Sequence, residues 1–129
     1  MTSKKNKKGF TLMEMLIVVA IIVILVAIMI PTFNSQLEKT REAADAANIR
    51  AAYAEAMVNY LDDGSTDAIE VSPQQKKAGW TNEELLTNLE SAVGTENDAA
   101  LKTVVYGKKV KVSVSESDKG ETTVSIKVE

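Results

Sequence analysis

The sequence predicts an α+β protein in which a long N-terminal α-helix, apolar in its first half and amphipathic in its second, packs on a small antiparallel β-sheet head. Three observations carry this reading. An almost unbroken apolar run fills positions 10–30, a helical period of three and four follows it, and a period of two takes over from Val110 onward.

The apolar run comes first. Phe10 to Ile30 reads FTLMEMLIVVAIIVILVAIMI, and at about 1.5 Å per residue it spans a hydrocarbon core of roughly 30 Å. Ahead of it stand Lys4, Lys5, Lys7 and Lys8, whereas no comparable basic cluster follows Ile30. By the positive-inside rule the N-terminus stays on the cytoplasmic side and everything beyond Pro31 faces outward. A secretory signal peptide fits poorly, because its apolar region is only about 7–15 residues and ends in a small-x-small site. A plain single-pass anchor fits better, except at Glu14. A carboxylate inside the apolar run is costly unless it is paired, protonated or close to the interface. On physics alone, a docking role for Glu14 and a glutamate that simply snorkels to the interface stand about even.

Lys7-Lys8-Gly9-Phe10-Thr11-Leu12-Met13-Glu14 resembles the type III signal of type IV pilins and pseudopilins, and the resemblance covers roughly residues 4 to 31. It implies cleavage after Gly9 by a prepilin peptidase on the cytoplasmic side, N-methylation of the new terminus at Phe10, and a docking role for Glu14. The last of these has a physical basis. Cleavage creates an ammonium at Phe10 in apolar surroundings, and a carboxylate of a neighbouring subunit can pair with it and favour one register of helix against helix.

Pro31 lacks an amide proton and crowds the carbonyl of Ala27, so the helix is expected to kink or loosen there. In the resembling pilins such a proline accompanies a curved or partly unwound helix. Those pilins often add a glycine within the run, but this chain has none between Gly9 and Gly64. Pro31 is therefore read, with Glu14, as an assembly residue, and a proline that merely marks the membrane exit is the alternative.

Beyond Pro31, Phe33, Leu37, Thr40, Ala44, Ala47, Ala51, Ala54, Val58 and Leu61 form one stripe at helical spacing. It is expected to pack on the head or on a partner. Glu38, Glu42 and Asp45 fall on the other faces. Alanine dominates the seam and Thr40 interrupts it, which disfavours a free-standing coiled coil. The breaker cluster Asp62-Asp63-Gly64-Ser65 should end the helix.

In the head, Thr81 and Glu84 read as a capping box for a short helix over 82–93 closed by Gly94, with Trp80 ahead of it as a packing anchor. Val110, Val112 and Val114 alternate with polar residues, as do Val124, Ile126 and Val128. Asp118-Lys119-Gly120 supplies the turn between these two strands. Leu101 to Tyr106, closed by Gly107, is expected to be a third strand. Asp62, Asp63, Asp67 and Glu70 lack the spacing of a calcium loop and read as solvated turn residues. The expected shape is a protruding apolar stem with a small head.

Composition narrows the function. The 129 residues contain no cysteine and no histidine, which removes disulfides, thiol nucleophiles, Ser-His and Cys-His pairs and the common zinc sets. No enzymatic activity, cofactor or metal is expected. Loss of the four leader lysines takes the net charge from −3 to −7, so the mature chain is not an obvious nucleic-acid binder. Lys108, Lys109, Lys111 and Lys127, near Tyr106, are the head's one basic group. Edge protection and solubility account for them better than DNA contact.

The layout that follows is a basic leader at 1–9, a transmembrane and assembly helix at 10–31, and a head at 32–129. The chain reads as a structural subunit of a type IV pilus-like filament, a homo-oligomer of identical or similar subunits. Its implied partners are a prepilin peptidase, the assembly ATPase and platform, and the cytoplasmic membrane before assembly. It would be a single-pass membrane protein first and an extracellular fimbrium afterwards. A DNA-uptake pilin and a pseudopilin of a secretion apparatus remain alternatives. The lack of cysteine departs from the many pilins that close a C-terminal loop with a disulfide, and leans toward a Gram-positive-type pilin.

Overall fold

The computed structural model describes residues 9–129, and the four leader lysines lie outside the described residues. The element order is α1 (Leu12–Asp63), β1 (Ile69–Val71), α2 (Glu83–Val93), a 3-10 turn (Thr95–Asn97), α3 (Asp98–Leu101), β2 (Val110–Glu116) and β3 (Thr122–Val128). Its compact units divide between Ser35 and Gln36. This is the α+β architecture expected from the sequence: a long helix that begins apolar, followed by a small three-stranded antiparallel sheet.

α1 is a single helix of 52 residues and runs on through Pro31. It stops where the breaker cluster stands. Gly64 takes a left-handed φ of 73° and its amide bonds the Tyr60 carbonyl at 3.0 Å, the glycine C-terminal cap that a side chain would strain.

The head's sheet has the order β1-β2-β3 with both pairings antiparallel. Val110 faces Val128, Val112 faces Ile126 and Val114 faces Val124, so the period-two pattern puts one valine-rich face inward. The turn between β2 and β3 closes through Ser117 and Glu121, whose amide and carbonyl meet at 2.8 Å, with Gly120 at φ 77°.

The third strand is not the expected one. Leu101 to Tyr106 ends α3 and then turns: the Thr103 amide bonds Ala100 and the Val104 amide bonds Leu101. Ile69–Val71 instead pairs with β2, Ile69 opposite Val112 and Val71 opposite Val110. Three residues are too few to show periodicity. The apolar side chains Leu101 and Val104 are fully buried, and that core role accounts for the run that imitated a strand.

The cap of α2 also differs from expectation. Asn82, not Thr81, is the N-cap, and its side-chain oxygen accepts the amides of Glu84 and Leu85 at 3.1 and 3.4 Å. The helix starts at Glu83, which puts Asn82 rather than Thr81 at the position whose side chain reaches the free amides of the first turn.

The largest correction concerns α1. Within the head its buried positions are Glu38, Glu42, Asp45, Ala46, Ile49, Ala52 and Ala56, while Thr40, Ala44, Ala47, Ala51, Ala54, Val58 and Leu61 of the expected stripe are exposed. Both sets follow helical spacing, so periodicity could not choose between them. The buried face won because its carboxylates satisfy backbone amides that would otherwise be buried without partners. Asp45 accepts Gln74 at 2.8 Å and Gln75 at 2.9 Å, Glu38 accepts Lys76 at 2.6 Å and Lys77 at 2.9 Å, and Glu42 accepts Thr81 at 2.9 Å and Asn82 at 3.1 Å.

Behind these carboxylates lies the apolar core, where Ile49 and Ala52 meet Leu89, Val93, Leu101, Val104, Val110, Val112 and Ile126. Trp80 is an anchor of the head's packing, as expected. It lies against this core and donates its indole N–H to the Leu101 carbonyl at 2.9 Å.

Candidate functional site

The candidate site is the start of α1. Thr11 is positioned to cap the helix: its hydroxyl accepts the Glu14 amide at 3.2 Å, and the Glu14 carboxylate accepts the Thr11 amide at 3.0 Å. This reciprocal pair is a capping box, which satisfies two amides that the first helical turn leaves without partners. A carboxylate at this end also suits the helix dipole. Glu14 is thus seated at the N-terminal mouth of α1, one turn from Phe10.

Phe10 is 83% exposed. Among the described residues an added Cβ at Gly9 would meet nothing within 4 Å.

From Leu12 to Ile30 the large apolar side chains are 44–77% exposed within the chain. By length and composition this is a helix able to cross a membrane, and its surface has no partner among the described residues. A water-facing surface of this kind is too apolar for a soluble monomer. Near Pro31, Val26, Met29, Ile30 and Phe33, with Asn34, line a shallow apolar groove on the helix. Pro31 itself lies inside α1, and the Thr32 hydroxyl donates to the Ile28 carbonyl at 3.4 Å.

Two lysines of the head's basic group are ion-paired. Lys109 pairs with Glu70 and Lys111 with Glu129, each at 2.8 Å. Bonds from Lys109 hold the Glu70 carboxyl below the ordinary carboxylate range. This geometry spends two of the four lysines on acids of the same sheet.

Sequence reasoning passed over Glu38, Glu42 and Asp45 as solvated. Their i, i+4, i+7 spacing together with Ile49, Ala52 and Ala56 was the available signal, but hydropathy scores carboxylates as outward. Burial pushes the Glu38 carboxyl up, yet the Lys77 amide, the Arg41 guanidinium and the Lys76 amide outweigh it and hold it below its ordinary value.

An apolar, capped N-terminal helix long enough to cross a membrane, followed by a small three-stranded antiparallel sheet, defines the class of the fold as α+β. Residues 4–30 match the family described as the prokaryotic N-terminal methylation motif. The chain is 36% identical over 88 residues to the type IV narrow pilus major component PilA5 of Thermus thermophilus, covering 64% of this chain and 76% of the relative. It is 32% identical over 120 residues to a type IV major fimbrial protein FimA of Dichelobacter nodosus, covering 91% of this chain and 69% of that protein. Against another FimA of the same organism it is 36% identical over 76 residues, 59% of this chain but only 47% of the relative, about half its length. No solved structure matches the chain. The chain belongs to the type IV pilin family.

Proposed function

We propose that this protein is a structural subunit of a type IV pilus-like surface filament, assembled through α1. The observation that carries the proposal is the exposed apolar surface of Leu12–Ile30 with one capped carboxylate, Glu14, at its head. Such a surface stays dry either in a bilayer or in a bundle of like helices, so transfer between the two changes apolar burial little. Direction must come from a specific contact, and Glu14 paired with the ammonium of a neighbouring Phe10 supplies it.

In this proposal residues 1–9 are the leader, cut after Gly9 by a prepilin peptidase, with methylation at Phe10. The open space around Gly9 supports a requirement set by the peptidase rather than by the fold. Residues 10–31 anchor the subunit with its head outside, residues 32–129 form that head, and an ATPase and platform drive assembly. The role is structural, not enzymatic. The exposed stripe from Thr40 to Leu61 extends the helix surface available to neighbouring subunits. The finer assignment to a Gram-positive-type pilin rests only on the cysteine-free head.

The test is Glu14→Ala in cells. The variant should insert and be processed, as read by the mass of the mature chain, yet shear no filaments from the surface. A normal filament yield would overturn the role of Glu14. The alternative of a DNA-uptake pilin gains no support from the head, where Lys109 and Lys111 are ion-paired.

A further inference from the structure

Three carboxylates of the head have no part in the filament proposal. Glu38, Glu42 and Asp45 are 8%, 1% and 0% exposed, and between them they accept the amides of Gln74, Gln75, Lys76, Lys77, Thr81 and Asn82. All six donors belong to one strap, residues 72–82, which joins β1 to α2. The strap lies along α1 as a row of amides on a comb of carboxylates.

We propose that this comb is a charge-dependent latch, holding residues 72–82 on α1 while the carboxylates are ionised and releasing them as one unit, ahead of the sheet, when the charge is lost. An ionised carboxylate offers only acceptors, and its bonds to amides are charge-assisted. At Glu42 and Asp45, where both carboxylate oxygens accept amides, a neutral acid or amide presents a donor toward a backbone donor, and buried polar groups are then left without partners. Cooperative release follows from spacing. Each tooth binds adjacent amides, so losing one exposes its neighbours to water.

Few charges oppose or reinforce the comb. Among the described residues its one ion pair is Arg41 to Glu38 at 3.1 Å. Lys39 on α1, Lys76 and Lys77 on the strap, and Glu83 and Glu84 at the start of α2 are the other charged groups around it, with Lys39, Glu83 and Glu84 lining a cleft alongside Thr81 and Asn82. No strand side chain among the described residues bonds to the comb. The β2-β3 ladder has its own backbone pairing and takes no bond from the comb.

The strap has neutral anchors on its other side. The Gln75 side chain donates to the Val104 carbonyl at 2.8 Å, the Tyr106 amide bonds the Gln75 carbonyl, and Trp80 bonds Leu101. These do not titrate. Loss of charge therefore frees the strap from α1 and leaves it attached to residues 101–106.

The test is amide hydrogen exchange on the full chain in detergent micelles, comparing the parent with the near-isosteric Glu42→Gln/Asp45→Asn double variant at neutral pH. Amides of residues 74–82 should lose about tenfold or more of their protection, while those of Val110–Glu116 and Thr122–Val128 keep theirs. The parent at acid pH should show the same split, which keeps the proposal testable if the double variant fails to fold. Unchanged protection of 74–82, or equal loss in strap and sheet, would overturn it.

Discussion

Thr11 and Glu14 cap each other, the Glu14 carboxylate accepting the Thr11 amide at 3.0 Å while the Thr11 hydroxyl accepts the Glu14 amide at 3.2 Å. The cap needs only an oxygen acceptor at position 14, whereas pairing with a neighbour's ammonium needs a charge. The two roles therefore separate chemically.

Glu14→Gln keeps the acceptor and the side-chain length but removes the charge. It should leave the helix start intact and yet form as few filaments as Glu14→Ala. Thr11→Ala removes one side of the box at a cost of about 1 kcal/mol and should lower filament yield by no more than about twofold. Sheared-filament yields for the three variants check this, and abundant filaments from Glu14→Gln would show that capping, not charge, matters.

The two faces of α1 beyond Pro31 make opposite predictions. Ile49 is fully buried, and Ile49→Ala should destabilise the head by about 2–5 kcal/mol through the cavity it leaves. Val58 is 63% exposed, and Val58→Ala should change stability by no more than about 0.5 kcal/mol. If the exposed stripe serves neighbouring subunits, it is Val58→Ala that weakens filaments of otherwise stable protein. Denaturant melts and shear resistance read the two effects separately.

The side chain of Asn97, at the end of the 3-10 turn, bonds the β3 backbone and ties it to the end of α2. Its side-chain oxygen accepts the Ile126 amide at 2.9 Å and its amide donates to Val93 and Val124 at 2.9 and 3.1 Å. Asn97→Ala leaves those buried groups without partners, at about 2–3 kcal/mol, and should lower the thermal midpoint on the order of 10 °C. Asn97→Asp should be worse, because it turns the donor toward two carbonyls into a charged acceptor. Calorimetry ranks the pair.

Glu38 makes the head acid-sensitive. Against the opposing effect of burial, the Lys77 and Lys76 amides and the Arg41 guanidinium hold its carboxyl below the ordinary glutamate value in the folded state, so its contribution is present above the unfolded value and lost as pH falls through the folded one. Glu38→Gln should flatten stability against pH below about 4.5 and lower the plateau above it. Denaturant melts from pH 3 to 7 would show a parallel offset instead if Glu38 did not titrate across that range.

Much of the site was legible in the residues themselves because its signals are local. Gly9, Phe10 and Glu14 stand at fixed spacing beside an apolar run, and Val110–Val114 and Val124–Val128 show their period within five residues each. What escaped depends on distant partners. Glu42 reads as solvated until Thr81 and Asn82 arrive to donate to it, and Ile69–Val71 is no strand until β2 offers an edge. Leu101–Tyr106 shows the converse: an apolar run whose backbone was already satisfied by α3 turns and by Gln75.

By itself, then, the sequence determined the apolar first half of α1, its glycine stop at Gly64 and the β2-β3 hairpin, all of which follow from chain-local sterics and hydropathy. Only the tertiary structure decided which face of α1 turns inward. Two stripes of equal period competed there, and the one bearing Glu38, Glu42 and Asp45 prevailed. Buried backbone amides must find acceptors, and nothing in the local sequence shows where those amides will be.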